Sequence, residues 1–140
     1  MIMDNSVLID TNIFIYAVDA DSVFHDRAIR FLSNPALRLF TTIKNVSEFL
    51  VVLTRDPEIK LSSGECLDIL GSILIDIVIL YPTPMTFRVF QDLVHRYHPR
   101  GLWIHDVEIA SIGIAHDIRR IATNNIADFR RISEIEIVEI

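Results

Sequence analysis

The stretch Val7-Leu8-Ile9-Asp10-Thr11-Asn12-Ile13-Phe14-Ile15-Tyr16-Ala17-Val18 decides the fold. Val7-Leu8-Ile9 is a short apolar run of strand type, and Asn12 to Val18 reads as a helix. Between them stand an acid and an amide, flanked by two segments that both belong in a hydrophobic core. A buried carboxylate costs several kcal/mol unless something pairs with it. Asp10 therefore either caps the helix or serves a site, and this stretch leaves both readings open.

Outward from this stretch, strands and helices alternate. His25 to Ser33 forms an amphipathic helix with Ala28, Ile29, Phe31 and Leu32 inward, and Asn34-Pro35 stops it. Leu37 to Thr41 is a second strand, and Thr42 is the N-cap of a helix over Lys44 to Thr54. A further helix starts at Ser62 or Ser63 and runs through Ile73. Ile77 to Leu80 is β-branched and reads as a buried strand. Thr83-Pro84 opens a helix to about Tyr97, and Asp106 to Asp117 is another. Ile121-Ala122 is a short strand, Asn124 to Asp128 a loop, and Glu136 to Val138 a final edge strand. The alternation predicts one α/β domain over residues 1–140, with a parallel sheet of four or five strands and helices on both faces.

Bulk properties narrow the class. The 140 residues suffice for a core without metal or disulfide staples. Cys66 is the single cysteine, so neither a disulfide framework nor a thiolate metal site is available. Hydrophobic residues make up 51% and mean hydropathy is +0.38, yet no run reaches the ~18 apolar residues of a membrane span. That apolarity suggests a surface covered by another chain. No basic segment followed by an apolar run opens the sequence, so a cytoplasmic address is expected. Thirteen Lys and Arg against 19 Asp and Glu give a net charge of −6, which argues against non-specific adhesion to nucleic acid.

Ligand sites in such sheets lie beyond the carboxyl ends of the strands, and four acids fall near that rim. Asp10 follows the first strand, Asp106 stands at a helix N-terminus, and Asp128 follows the Ile121-Ala122 strand. Glu48 lies in the helix after the second strand. Each has a plainer reading: Asp at a helix start is a common cap, and Asp128 could close a short turn. Glu48 is flanked by Val51 and Val52 on a helix that is apolar on nearly every side, so a buried or paired Glu48 is expected. Converging carboxylates repel one another unless a cation joins them. Oxygen donors without His or Cys suit Mg²⁺ or Mn²⁺, and such an ion supports phosphodiester hydrolysis.

Three stretches, VLIDTNIFIYAVD, TTIKNVSEFLVVLTR and GLWIHDVEIASIGIAHDIRRIATNNIADFRRI, follow in an order and spacing that resemble PIN-domain ribonucleases, and among them the VapC-type toxins of toxin–antitoxin pairs. The resemblance spans essentially the whole chain. It implies a metal-dependent endoribonuclease whose acids Asp10, Glu48 and Asp106 hold one or two Mg²⁺ or Mn²⁺ ions. Glu48 would position or deprotonate the attacking water, and Asp128 would complete the cluster. Many relatives carry an acid where this chain has Asn125. Asn12 and Thr123 match residues that steady the carboxylates by hydrogen bonds.

The resemblance also implies an RNA substrate, a small antitoxin partner covering the active-site groove, and a homodimer. Arg96, His98 and Arg100 form the densest local basic cluster, and His105 beside Asp106 is a further candidate RNA contact. A charge cluster is otherwise a solvated face, and a histidine at a helix start is otherwise structural. Two rival readings remain: an inactive PIN-like module acting by RNA or protein binding, and a receiver-like signalling domain. The second needs a phospho-accepting Asp at the end of a middle strand, where this chain has Tyr81-Pro82-Thr83.

Overall fold

The structure, a computed structural model, describes residues 4–140; the reading of Met1 to Met3 for a leader lies outside them. Five parallel strands form one sheet in the order β3-β2-β1-β4-β5. They are β1 (Ser6–Ile9), β2 (Arg38–Thr42), β3 (Val78–Leu80), β4 (Arg120–Ala122) and β5 (Glu136–Val138). The chain first builds outward from β1 through β2 to β3, then returns to the other side of β1 for β4 and β5. The order thus reverses beside β1, and the crevice at that reversal opens at the carboxyl ends of β1 and β4.

Alternation along the strands divides the core in two. Val7 and Ile9 of β1, Leu39 of β2 and Ala122 of β4 face one layer. That layer comprises α1 (Thr11–Val18), α2 (His25–Leu32), α3 (Ile43–Arg55) and α4 (Ser63–Ile73). Leu8 and Ile121 face the other layer, made by α5 (Pro84–Tyr97), α6 (Trp103–Ala115) and the single turn α7 (Ile126–Phe129). Phe14 and Phe49 fill the first layer and Phe129 the second; each is essentially fully buried and contributes on the order of 2–3 kcal/mol. Gly113 lets the end of α6 close on the sheet, because a Cβ there would stand 3.1 Å from the Ile118 carbonyl and 3.6 Å from Leu8.

The α/β class, strand count and two-sided helix cover match the sequence reading; several details differ. β3 was expected to be buried, but it is an edge strand and Val78 is 53% exposed. A 3-10 turn, Leu74–Asp76, precedes it and leaves Ile75 in solvent. Ile29, expected inward, is 42% exposed. The α3 helix does not bury its whole circumference, and Val51 is 53% exposed. α6 begins at Trp103, three residues before the expected start, and Asp106 lies in its first turn. Where a loop is expected over Asn124 to Asp128, the single turn α7 starts at Ile126 and runs to Phe129, with Asn125 at its N-cap making no side-chain capping bond. Among the described residues, no helix is long and apolar enough to cross a membrane.

Candidate carboxylate site at the ends of β1 and β4

Asp10 is both the N-cap of α1 and a wall of the crevice. Its backbone N–H extends the β1–β4 ladder by donating to the Ala122 carbonyl at 2.9 Å, so the carboxylate is rigidly placed. Only 5% of the residue is exposed, and donors surround it. Oδ1 accepts from the Thr11 backbone N–H at 2.9 Å and from Asn45 Nδ2 at 3.1 Å. Oδ2 accepts from the Thr123 hydroxyl at 2.6 Å and from Asn12 Nδ2 at 3.4 Å. Burial raises the Asp10 carboxyl above the usual range against the pull of these donors, and the Glu48 charge adds to the rise.

The carriers of those donors are themselves held. Thr123 Oγ1 accepts from the Asn125 backbone N–H at 2.9 Å. Asn12 accepts through Oδ1 from the Asn124 backbone N–H at 3.1 Å. Sequence reasoning proposed both Asn12 and Thr123 as steadying neighbours of the carboxylates, and their hydrogen bonds reach Asp10. It missed Asn45. This residue is fully buried and closes a capping box with Thr42: its backbone N–H donates to Thr42 Oγ1, and its Oδ1 accepts from Thr42. Its remaining amide protons reach Asp10 and Thr11 Oγ1, the latter at 3.0 Å. The spacing Thr42-x-x-Asn45 was the available signal, with Asn in place of the usual Glu or Gln.

Glu48 sits on the face of α3 turned toward α1, where its Oε2 accepts from the Thr11 hydroxyl at 2.9 Å. It is paired as expected but exposed rather than buried. Asp106 and Asp128 are joined through Asn125, whose Nδ2 donates to both carboxylates at 3.2 and 3.1 Å. Burial pushes the Asp106 carboxyl up to about 7, and the charges of Asp10, Asp128 and Glu48 add to the rise. A cavity of about 350 Å³ joins Asp10, Glu48, Asp106 and Asn125, with Ile15, Tyr16 and Val52 as its apolar wall. The larger hollow, about 740 Å³, lies elsewhere, around Asp4, Arg38 and His116, and holds none of the four acids.

The basic candidates are spread more widely. Arg96, a candidate RNA contact, makes an ion pair with Glu134 and keeps 59% of its side chain exposed. His98 ends α5 in the left-handed region at φ 48°, and Arg100 is exposed on the connection to α6. His105 is exposed beside Lys44, Ser47, Glu48 and Val51, in a neighbouring hollow that shares Glu48 with the crevice.

The donor set fits a hard divalent cation: it is all oxygen, and the neighbouring negative charges add to the raised proton affinity of Asp10 and Asp106. Asn125 Nδ2 supplies positive dipole where two carboxylates meet. Among the described residues, however, no three His, Cys, Asp or Glu side chains stand close enough to hold an ion as they are. Asp10, Glu48 and Asp106 line the crevice, and Asp128 joins them through Asn125, without the acids closing on one point.

Comparison with known proteins agrees with this layout. A family model described as PIN domain matches residues 7–135. Among solved structures, the VapBC2 complex of Rickettsia felis bound to a promoter DNA fragment superposes with a TM-score of 0.74 at 18% identity, over 96% of this chain and 98% of that one. The DNA-bound VapBC of Salmonella typhimurium gives 0.67 at 20% identity, over 96% and 97%. Mycobacterium tuberculosis VapC20, described as a sarcin–ricin loop cleaving toxin, gives 0.67 at 13% identity, over 89% and 93%. The comparison with curated proteins finds no match. At these identities the superpositions speak for the fold, and the family match carries the assignment. With a reversed parallel sheet, acids at the carboxyl ends of its strands and a family match over nearly its whole length, the chain belongs to the PIN-domain family.

Proposed function

We propose that this protein is a metal-dependent endoribonuclease acting as the toxin of a toxin–antitoxin pair. The observation that carries the reading is the electrostatics of the crevice. Asp106 is pushed up to about 7 by burial and by Asp10, Asp128 and Glu48, an arrangement that is costly unless a cation joins it. Asp10, Asp106 and Glu48 would hold Mg²⁺ or Mn²⁺, with Asp128 completing the cluster. A bound divalent ion would supply charge neutralisation at the scissile phosphate and a lowered pKa for water. Glu48, exposed and held by the Thr11 hydroxyl, would help position or deprotonate the attacking water. Thr123, Asn12 and Asn45 hold Asp10, while Arg100, His98 and His105 offer positive charge or hydrogen bonds to the RNA backbone.

An antitoxin and a second copy of the chain are the proposed partners, the latter making a homodimer. Val51, Leu102 and Ile104 are exposed apolar residues on α3 and at the start of α6, suited to such contacts. Size-exclusion chromatography with light scattering should show no stable monomer at micromolar concentration; a clean monomer would remove the homodimer.

The deciding experiment is cleavage of total RNA with Mg²⁺ or Mn²⁺, set beside EDTA and Asp10→Asn. Cleavage confined to the wild-type protein with metal supports the proposal, whereas equal cleavage in all three means contamination. A second reading, an inactive PIN-like binding module, is favoured by the absence of a closed metal cluster among the described residues. Millimolar Mn²⁺ should raise the wild-type melting temperature by linkage; no rise would favour that module.

A further inference from the structure

Trp103, the chain's single tryptophan, occupies the junction between Asp106 and Asp128. It is the first residue of α6 and precedes Asp106 by three positions, so the two side chains lie on neighbouring parts of one helix face. The residue is only 6% exposed, yet its indole N–H has a partner: it donates at 3.0 Å to the backbone carbonyl of Asp128. The Arg131 guanidinium stands 3.5 Å over the indole ring. The Tyr97 ring meets it edge-on at 6.3 Å. Tyr97 in turn accepts from the Ser133 backbone N–H at 3.0 Å and donates to Glu134.

The segment held in this way has little structure of its own. α7 is a single turn whose N-cap, Asn125, makes no side-chain capping bond and instead turns its amide to the carboxylates of Asp106 and Asp128, and an isolated turn is unstable in water. What fixes Asp128 in space is therefore contact beyond the turn: Phe129 beside it is buried in the core, Asn125 holds its carboxylate, and the indole bond holds its backbone carbonyl.

We propose that Trp103 is a positioning residue that sets where Asp128 stands relative to Asp106, with Arg131 holding the indole in the donating orientation. This rests on the nuclease reading only for its consequence, the assembly of the cation site; the tether is a property of the fold. An aromatic that merely filled the core would need neither the N–H nor the Arg131 stack.

Trp103→Phe keeps most of the packing and removes the N–H. Two measurements decide the matter in this variant. Hydrogen exchange should speed up roughly tenfold, as for loss of one hydrogen bond, at the amides of Phe129, Arg130 and Ile132, with the α6 amides unchanged. The Mn²⁺ concentration giving half of the thermal-shift response should rise about tenfold, the usual effect of freeing a ligand's support, with KM for RNA unaltered. Arg131→Gln keeps the N–H and should show a smaller change in both, together with altered Trp103 fluorescence. Unchanged exchange at α7 overturns the tether. Faster exchange with unchanged Mn²⁺ half-saturation overturns its role in the site. A wild-type protein without any Mn²⁺ response overturns the nuclease reading instead, and the exchange comparison then decides the tether by itself.

Discussion

Asn125 faces Asp106 with its amide Nδ2 3.2 Å from Oδ2, while the same nitrogen lies 3.1 Å from Asp128. An uncharged donor thus stands between two carboxylates that would otherwise repel directly. Asn125→Asp removes that donor and adds a charge among carboxylates that already repel. Without metal its melting temperature should fall by several degrees, on the order of 1–2 kcal/mol. Its Mn²⁺-induced rise should exceed that of the wild type. Thermal melts in EDTA and in Mn²⁺ check both; an unchanged EDTA melt would mean the amide separates no charges.

Asp106 makes the metal-free protein sensitive to pH. Its folded value of about 7 lies above the ordinary 3.8, so the folded state holds this proton more tightly than the unfolded state. Its contribution is complete below about pH 4 and is lost as pH rises toward 7. Asp106→Asn lacks this slope. With allowance for partial exposure, the variant should gain on the order of 1–2 kcal/mol over wild type at pH 7.5 in EDTA, and less at pH 5. Urea midpoints at the two pH values measure the difference, and saturating Mn²⁺ should reverse it.

Asn45 joins two functions in one fully buried side chain, the α3 cap and the support of Asp10 and Thr11. Asn45→Ala removes the cap partner and leaves a buried carboxylate short of a donor. The expected loss is about 2–3 kcal/mol, read from denaturant midpoints. A loss under about 0.5 kcal/mol would show that water replaces the amide.

Arg96 and Arg100 should differ in their effect on RNA binding. Arg96 is engaged with Glu134, whereas Arg100 has no ion-pair partner among the described residues. Arg100→Gln should lower the slope of log affinity against log salt by about 0.7, the value for one contact to single-stranded nucleic acid. Arg96→Gln should leave that slope unchanged. Binding to an RNA oligonucleotide at several salt concentrations, with Asp10→Asn as background to prevent cleavage, checks the pair.

The sequence carried the architecture because its signals are local. Val7-Ile9 passing directly into the α1 pattern, Thr42 and Thr83-Pro84 as caps, and the alternation of short apolar runs with helices all act within a few residues. These imply a parallel sheet covered on both faces, and the acids near the strand ends follow from it. Asp10 was legible for the same reason, since it stands directly after a strand, whereas Thr123 and Asn12 were marked only by the family resemblance.

Only the tertiary structure decided what lies between elements. Strand order made β3 an edge and exposed Val78, which no property of Ile77-Leu80 itself records. Packing of α1 against α3 gave Glu48 its Thr11 partner and gave Asp10 its Asn45 donor, residues more than thirty positions apart in the chain. The pairing of Arg96 with Glu134, the indole bond from Trp103 to Asp128 and the rise of Asp106 to about 7 belong to the same class. Charge repulsion, desolvation and hydrogen bonding depend on distance in space, and the sequence determines that distance only through the folded chain.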